Sequence, residues 1–115
     1  MRRLLIIDDE EDTLLLLRMI LQKKGFEVDI VSSGDQALQR AEEYNPDIIL
    51  LDVKLDNNND GRDICRQLKT NEKTSNSRVY LCSAHASLLK NAGSDEDGFI
   101  RKPFNVNHLV QTLSG

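Results

Sequence analysis

Only two of the 115 residues are cysteine, and neither belongs to a pattern of pairs. Cys65 and Cys82 lie inside apolar patterns, outside any metal-ligand spacing, so the chain is read as folding with reduced, buried thiols, which fits a cytoplasmic protein. Long hydrophobic runs are also missing. Met1, Arg2 and Arg3 are followed by only four apolar residues before an acidic pair, far short of a secretory signal or a membrane span, so neither is expected. Nor is there a basic stripe: 15 Lys and Arg against 19 Asp and Glu give a net charge of −4, with both signs interspersed, which argues against direct nucleic-acid binding. No linker, internal repeat or low-complexity tract divides the chain. One domain over residues 1–115 is expected, able to bury about two thirds of the surface its unfolded form exposes without staples.

What is present is a set of short apolar runs that each end in chemistry. Leu4-Leu5-Ile6-Ile7 leads into Asp8-Asp9, Ile48-Ile49-Leu50-Leu51 into Asp52, Val79-Tyr80-Leu81-Cys82 into Ser83, and Phe99-Ile100-Arg101 into Lys102-Pro103. Such runs read as buried strands of a parallel sheet, whose crevice lies beyond the carboxyl ends of the strands. Three carboxylates, a hydroxyl and an ammonium should therefore meet in one place. That set makes a hard-cation site with an acceptor carboxylate, a hydroxyl donor and a counter-cation, which suits phosphoryl chemistry.

Between the runs the pattern turns helical. Glu11-Asp12-Thr13 offers acidic first-turn residues and a cap, and a helix is predicted from about Asp12 to Lys24, closed by Gly25. Val28 to Val31 reads as a second strand. Ser32-Ser33-Gly34 reads as a turn and cap before a helix bearing Ala37, Leu38, Ala41 and Tyr44, which Asn45-Pro46 stops. Strand three is placed at Asp47 to Asp52, a polar loop at Asp56 to Gly61, and a third helix on Ile64, Cys65 and Leu68, ending near Asn71. Strand four is Arg78 to Cys82, a short helical segment lies around Ala86 to Ala92, and the last helix carries Val106, Leu109, Val110 and Leu113. That stripe and the Leu14-to-Leu17 run are read mostly as core. Alternating strands and helices with right-handed crossovers give a doubly wound α/β sheet with helices on both faces. Periodicity alone does not set the strand order; 2-1-3-4-5 would place the topological switch where Asp8, Asp9 and Asp52 emerge.

The acidic pair in Ile7-Asp8-Asp9-Glu10, the aspartate in Leu51-Asp52-Val53, Asp60-Gly61, the small hydroxyl in Ser83-Ala84 and Phe99-Ile100-Arg101-Lys102-Pro103-Phe104 together resemble the receiver domain of two-component response regulators, from Arg3 to about Leu113. The resemblance implies the flavodoxin-like order 2-1-3-4-5. It implies that Asp52 accepts a phosphoryl group from the phosphohistidine of a histidine kinase or histidine phosphotransfer protein. Mg²⁺ would be held by Asp9 and Asp52 directly, by Asp8 through water, and by the backbone carbonyl of Lys54. Lys102 would pair with the phosphoryl oxygens, with a cis peptide to Pro103, and Ser83 would donate its hydroxyl once the group is in place. Phe99 stands at the aromatic switch position, where it brings no hydroxyl, so any switch works by packing. The bland alternatives are a helix-start acid cluster for Asp8-Asp9, a solvated lysine for Lys102, a helix cap for Ser83 and a core aromatic for Phe99.

The chain departs from that family pattern in two places. The loop Val53-Lys54-Leu55-Asp56-Asn57-Asn58-Asn59-Asp60-Gly61 lacks the family's usual proline and is one residue longer, which suggests a more mobile loop. Lys54 and His85 occupy the positions that tune acyl-phosphate hydrolysis in the family. The fourth helical segment is short and the loop Ser94-Asp95-Glu96-Asp97-Gly98 acidic, so a monomer or weak dimer is expected rather than the common receiver dimer. Two other readings compete. A receiver acting as a fixed protein-binding module would not need the complete acid, hydroxyl and lysine set. An aspartyl-phosphate phosphatase of the haloacid-dehalogenase kind would need an aspartate where Lys54 stands.

Overall fold

The structure of the protein, a computed structural model, describes residues 2–85, 87–88 and 95–114. Strands β1 (Arg3–Ile7) and β3 (Ile48–Asp52) are buried at every position but Arg3, because each lies mid-sheet with helices on both sides. With β2 (Glu27–Val31), β4 (Arg78–Ser83) and β5 (Gly98–Arg101) they form one parallel sheet in the order β2-β1-β3-β4-β5.

The two-residue period of the strands divides the core in two. Leu5, Ile7, Ile49, Leu51, Val79 and Leu81 point to one face. There they meet α2 (Ala37–Tyr44), entered through a 3₁₀ turn at Gly34–Gln36, and α3 (Gly61–Thr70). Leu4, Ile6, Ile48, Leu50 and Ile100 point to the other, against α1 (Glu11–Lys23) and α4 (Val106–Ser114). Each fully buried leucine contributes about 2 kcal/mol of transfer free energy, and continuous burial on both faces explains why the strand runs read as apolar rather than alternating.

Helix ends follow local chemistry. At the end of α1 the Phe26 amide donates to the Leu21 carbonyl at 3.1 Å and the Gly25 amide to Gln22 at 3.1 Å, with Gly25 at φ +98°. This is a Schellman motif, and Phe26 and Leu21 share one core. The start of α1 differs from expectation: Glu10 is the capping position and makes no side-chain cap. Thr13 lies inside the helix, whose first bond runs from the Leu14 amide to the Glu10 carbonyl at 3.1 Å, and the Glu10 amide donates to Asp8 Oδ1 at 3.0 Å. Ser33 does cap, accepting from Asp35 N at 3.2 Å, and Asn45 closes α2 in the left-handed region.

The Leu14-to-Leu17 run is core only at its two ends. Leu14 and Leu17 are buried, whereas Leu15 and Leu16 stand 48% and 57% exposed. At 100° per residue, four consecutive leucines span more than one face of a helix. In the last helix Leu109 and Leu113 are core, while Val106 and Val110 are half-buried. Both cysteines are free and buried, and burial pushes each thiol up to about 12. Apart from residues 87 and 88, the segment read as helical around Ala86 to Ala92 lies outside the described residues. Among the described residues no helix is long and apolar enough to cross a membrane.

Candidate functional site

Register brings the strand ends together. Ile7 is the partner of Leu51, so Asp8 and Asp52 leave adjacent strands side by side, about one strand spacing (roughly 4.8 Å) apart. Asp52 is the partner of Cys82 and Ser83 of Arg101, and the Lys102 amide donates to the Ser83 carbonyl at 2.9 Å. Four chemically active side chains thus follow from one hydrogen-bond register.

One carboxylate oxygen from each of Asp8, Asp9 and Asp52 lies within 4.8 Å of the others. Asp8 and Asp52 are 3% and 8% exposed, and Asp9 faces solvent. Three hard oxygen donors at this spacing fit a small divalent cation such as Mg²⁺. Into the same space reaches the Lys102 ammonium, 2.7 Å from Asp8 Oδ2 and 3.3 Å from Asp52 Oδ2, on a peptide to Pro103 that is cis.

Charge is unevenly compensated. Burial pushes the Asp52 carboxyl up to about 6; Lys102 opposes this, and the negative charges of Asp8 and Asp9 add to it. The lysine's shorter bond goes to Asp8, which leaves Asp52 the less compensated of the two buried acids. Burial disfavours the Lys102 ammonium, but its hydrogen bond to Asp8 and the charge of Asp52 outweigh that and hold it above the ordinary lysine value.

Ser83 is buried, and its Oγ accepts from the His85 amide at 3.0 Å. That is the local cap geometry, and it leaves the hydroxyl proton for another acceptor. His85 and the Lys54 side chain are exposed, and neither side chain joins the carboxylate cluster. Phe99 is no core aromatic: on edge strand β5 it alternates with buried Ile100 and is 53% exposed.

The loop after Asp52, expected to be mobile, is folded into a hairpin. Lys54 and Asp60 form an antiparallel bridge. The Leu55 amide donates to Asn59 O at 3.3 Å and the Asn59 amide to Asp56 O at 2.9 Å. Asn57 and Asn58 sit at φ 53° and 61°, the two left-handed residues of a type I′ turn. At its base the Gly61 amide donates to Val53 O at 2.8 Å, and Asp60 caps α3 while its carboxylate is held by Arg62 at 2.6 Å. Consecutive asparagines between Lys54-Leu55 and Asp60-Gly61 were the available turn signal, weaker than Asn-Gly because both residues carry side chains.

A parallel sheet of order 2-1-3-4-5 with three aspartates and a lysine at its carboxyl edge defines a class of phosphoacceptor signalling domains. The chain belongs to the response regulator receiver domain family, whose model matches residues 4–114. It is 31% identical over 93 residues to the transcriptional regulatory protein ResD of Bacillus subtilis, covering 81% of this chain and 38% of that protein. It is 30% identical over 92 residues to the DNA-binding response regulator MtrA of Mycobacterium tuberculosis, covering 80% and 40%. The chain therefore spans about two fifths of the length of these relatives. Among solved structures it is similar to the response regulator TrrA of Thermotoga maritima in complex with Mg²⁺ and BeF, with a TM-score of 0.88, 25% identity and coverage of 99% and 97%. The chemotaxis protein CheY4 of Vibrio cholerae shares the fold at a TM-score of 0.86 and 24% identity, over 99% and 97% of the two chains. The chain is thus a regulatory domain with a phosphoacceptor signalling role, of a family that binds Mg²⁺ at an acidic pocket.

Proposed function

We propose that residues 1–115 form a receiver domain in which Asp52 is the phosphoacceptor. The observation that carries this is the Lys102 ammonium bonded to both Asp8 and Asp52 within a cluster of three aspartates. Near neutral pH Asp52 is ionised, since it titrates at about 6, and so has a lone pair to offer. One of its oxygens attacks the phosphorus of a phosphohistidine. The P–N bond breaks, the imidazole nitrogen keeps the electron pair and takes a proton, and an acyl phosphate remains on Asp52. Asp9 and Asp52 directly, Asp8 through water and the Lys54 backbone carbonyl would hold Mg²⁺, which would supply the positive charge that lets carboxylate and phosphoryl group approach. Lys102 then moves its ammonium from carboxylate to phosphoryl oxygens, and Ser83, whose hydroxyl donates to no acceptor among the described residues, donates to another. Phe99 completes the switch by turning its half-exposed ring into the space Ser83 vacates. Lys54 and His85, exposed beside the acceptor, tune hydrolysis of the acyl phosphate.

The donor is a histidine kinase or histidine phosphotransfer protein. A groove of about 460 Å³ runs from Lys102 between α1 and the start of α4, lined by Leu16, Leu17, Ile20, Pro103, Phe104 and Val106. This apolar wall beside the acceptor supports docking of a protein rather than a small substrate. The domain acts in the cytoplasm as a monomer or weak dimer and makes no direct contact with nucleic acid; the net charge of −4 supports the last point. It is not an enzyme beyond its own phosphorylation and dephosphorylation, since Lys54 stands where a phosphatase would need an acid.

Intact-protein mass after incubation with acetyl phosphate and Mg²⁺ tests the reading. The parent should gain one phosphoryl group; Asp52→Ala and a chelated sample should gain none. An unmodified parent would sink the proposal and favour a fixed binding module.

A further inference from the structure

We infer that Asp35 is a positioning residue for the metal site, acting through the hairpin that follows Asp52; this rests on the reading above, in which the Lys54 carbonyl is a ligand. Asp35 lies in the 3₁₀ turn before α2, on a different element from every residue so far given a role. Both of its oxygens are engaged from across the surface by one hairpin. Asn59 Nδ2 donates to Oδ1 at 3.1 Å and Asn57 Nδ2 to Oδ2 at 3.3 Å.

The neighbouring residue makes room for this clamp. A Cβ on Gly34 would lie 2.8 Å from Asn59 Cβ and 2.9 Å from its Cγ, so glycine there lets Asn59 lie against the turn. The hairpin is thus held at both ends: at its tip by Asp35, and at its base where Gly61 packs against the Asp52 carbonyl and donates to Val53 O. Lys54 sits between these anchors, paired with Asp60. A two-residue type I′ turn has no intrinsic reason to point one way over the protein surface. The carboxylate of Asp35 gives it one, and the direction of the Lys54 carbonyl follows from the strand that carries it. Groups that orient a ligand without touching the metal commonly tune affinity in this way.

The test is Mg²⁺ titration of the unphosphorylated full chain, followed by backbone amide NMR shifts, together with amide exchange at Leu55 and Asn59. Asp35→Ala and Gly34→Ala should each weaken Mg²⁺ binding about ten-fold, the lower end of the range for groups that orient ligands, and speed exchange at both amides. Asp35→Asn, which keeps one acceptor oxygen, should fall between Asp35→Ala and the parent. Gly34→Ala separates position from charge, because it displaces Asn59 and leaves the carboxylate. If only the Asp35 variants weaken binding, Asp35 acts by long-range attraction and the inference is overturned. Asp9→Asn serves as the control for the site itself. If it leaves Mg²⁺ affinity unchanged, the metal-site reading fails; if it weakens binding while both hairpin variants bind as the parent, the positioning role alone fails.

Discussion

Asp52 shows how a single side chain can be destabilising on its own and useful in company. Its carboxyl titrates at about 6 in the folded chain against an ordinary 3.8, first because burial disfavours the charge, and Lys102 only partly offsets that. Folding therefore favours the protonated form. In the metal-free protein this contribution is fully present below about pH 4 and is lost as the pH rises through about 6. Asp52→Asn, which cannot ionise, should gain on the parent by on the order of 2 kcal/mol between pH 4 and pH 7.5. Denaturant unfolding of both proteins across that range checks it; parallel stability curves would show that Asp52 is not strained by its burial. The site residues at strand ends were legible in the sequence, because an apolar run stopping at an acid or a lysine is a local pattern. The outward Phe99 was not, since whether an edge-strand aromatic is covered depends on what packs beside it.

At the scale of elements, the junction between β3 and α3 leaves less room than any other described glycine position. A Cβ on Gly61 would lie 2.1 Å from the Asp52 backbone carbonyl, and no flexible side chain there can move aside. Gly61→Ala should cost about 3 kcal/mol or more, in the range of overpacked core sites, and should slow phosphorylation by displacing Asp52. Thermal unfolding and acetyl phosphate labelling read the two effects. A variant with parental melting temperature would mean that α3 shifts freely. Element existence was legible from periodicity, and the exposed pair Leu15 and Leu16 was not. A run of four leucines states that a helix is apolar without stating which side meets the sheet. The hairpin at Lys54 to Asp60 was read as a loop, because Asn57 and Asn59 are held by Asp35, a residue outside the turn.

For the whole molecule, three carboxylates converge at one edge and the lysine among them is shared between two. Mg²⁺ should bind the folded chain far better than the unfolded one, where the aspartates are dispersed. At about ten times its dissociation constant it should then add about 1.4 kcal/mol of stability. The gain should vanish in Asp9→Asn and should shrink as the pH falls below 6, where protons compete for Asp52. Thermal melts with and without Mg²⁺ at pH 7.5 and pH 5 measure this, and an equal gain at both pH values would place the ion elsewhere.

The amino-acid sequence by itself determined the alternation of elements, the two-sided burial of the strands and the order of acid, acid, hydroxyl and lysine, because each is written in local spacing and composition. Only the tertiary structure decided which strands are neighbours, how Lys102 divides itself between Asp8 and Asp52, and which way the Asn-rich hairpin leans. Those depend on hydrogen-bond register and on contacts between residues far apart in the chain. The Lys102 to Asp8 bond spans 94 positions, and no local pattern encodes a partner at that distance.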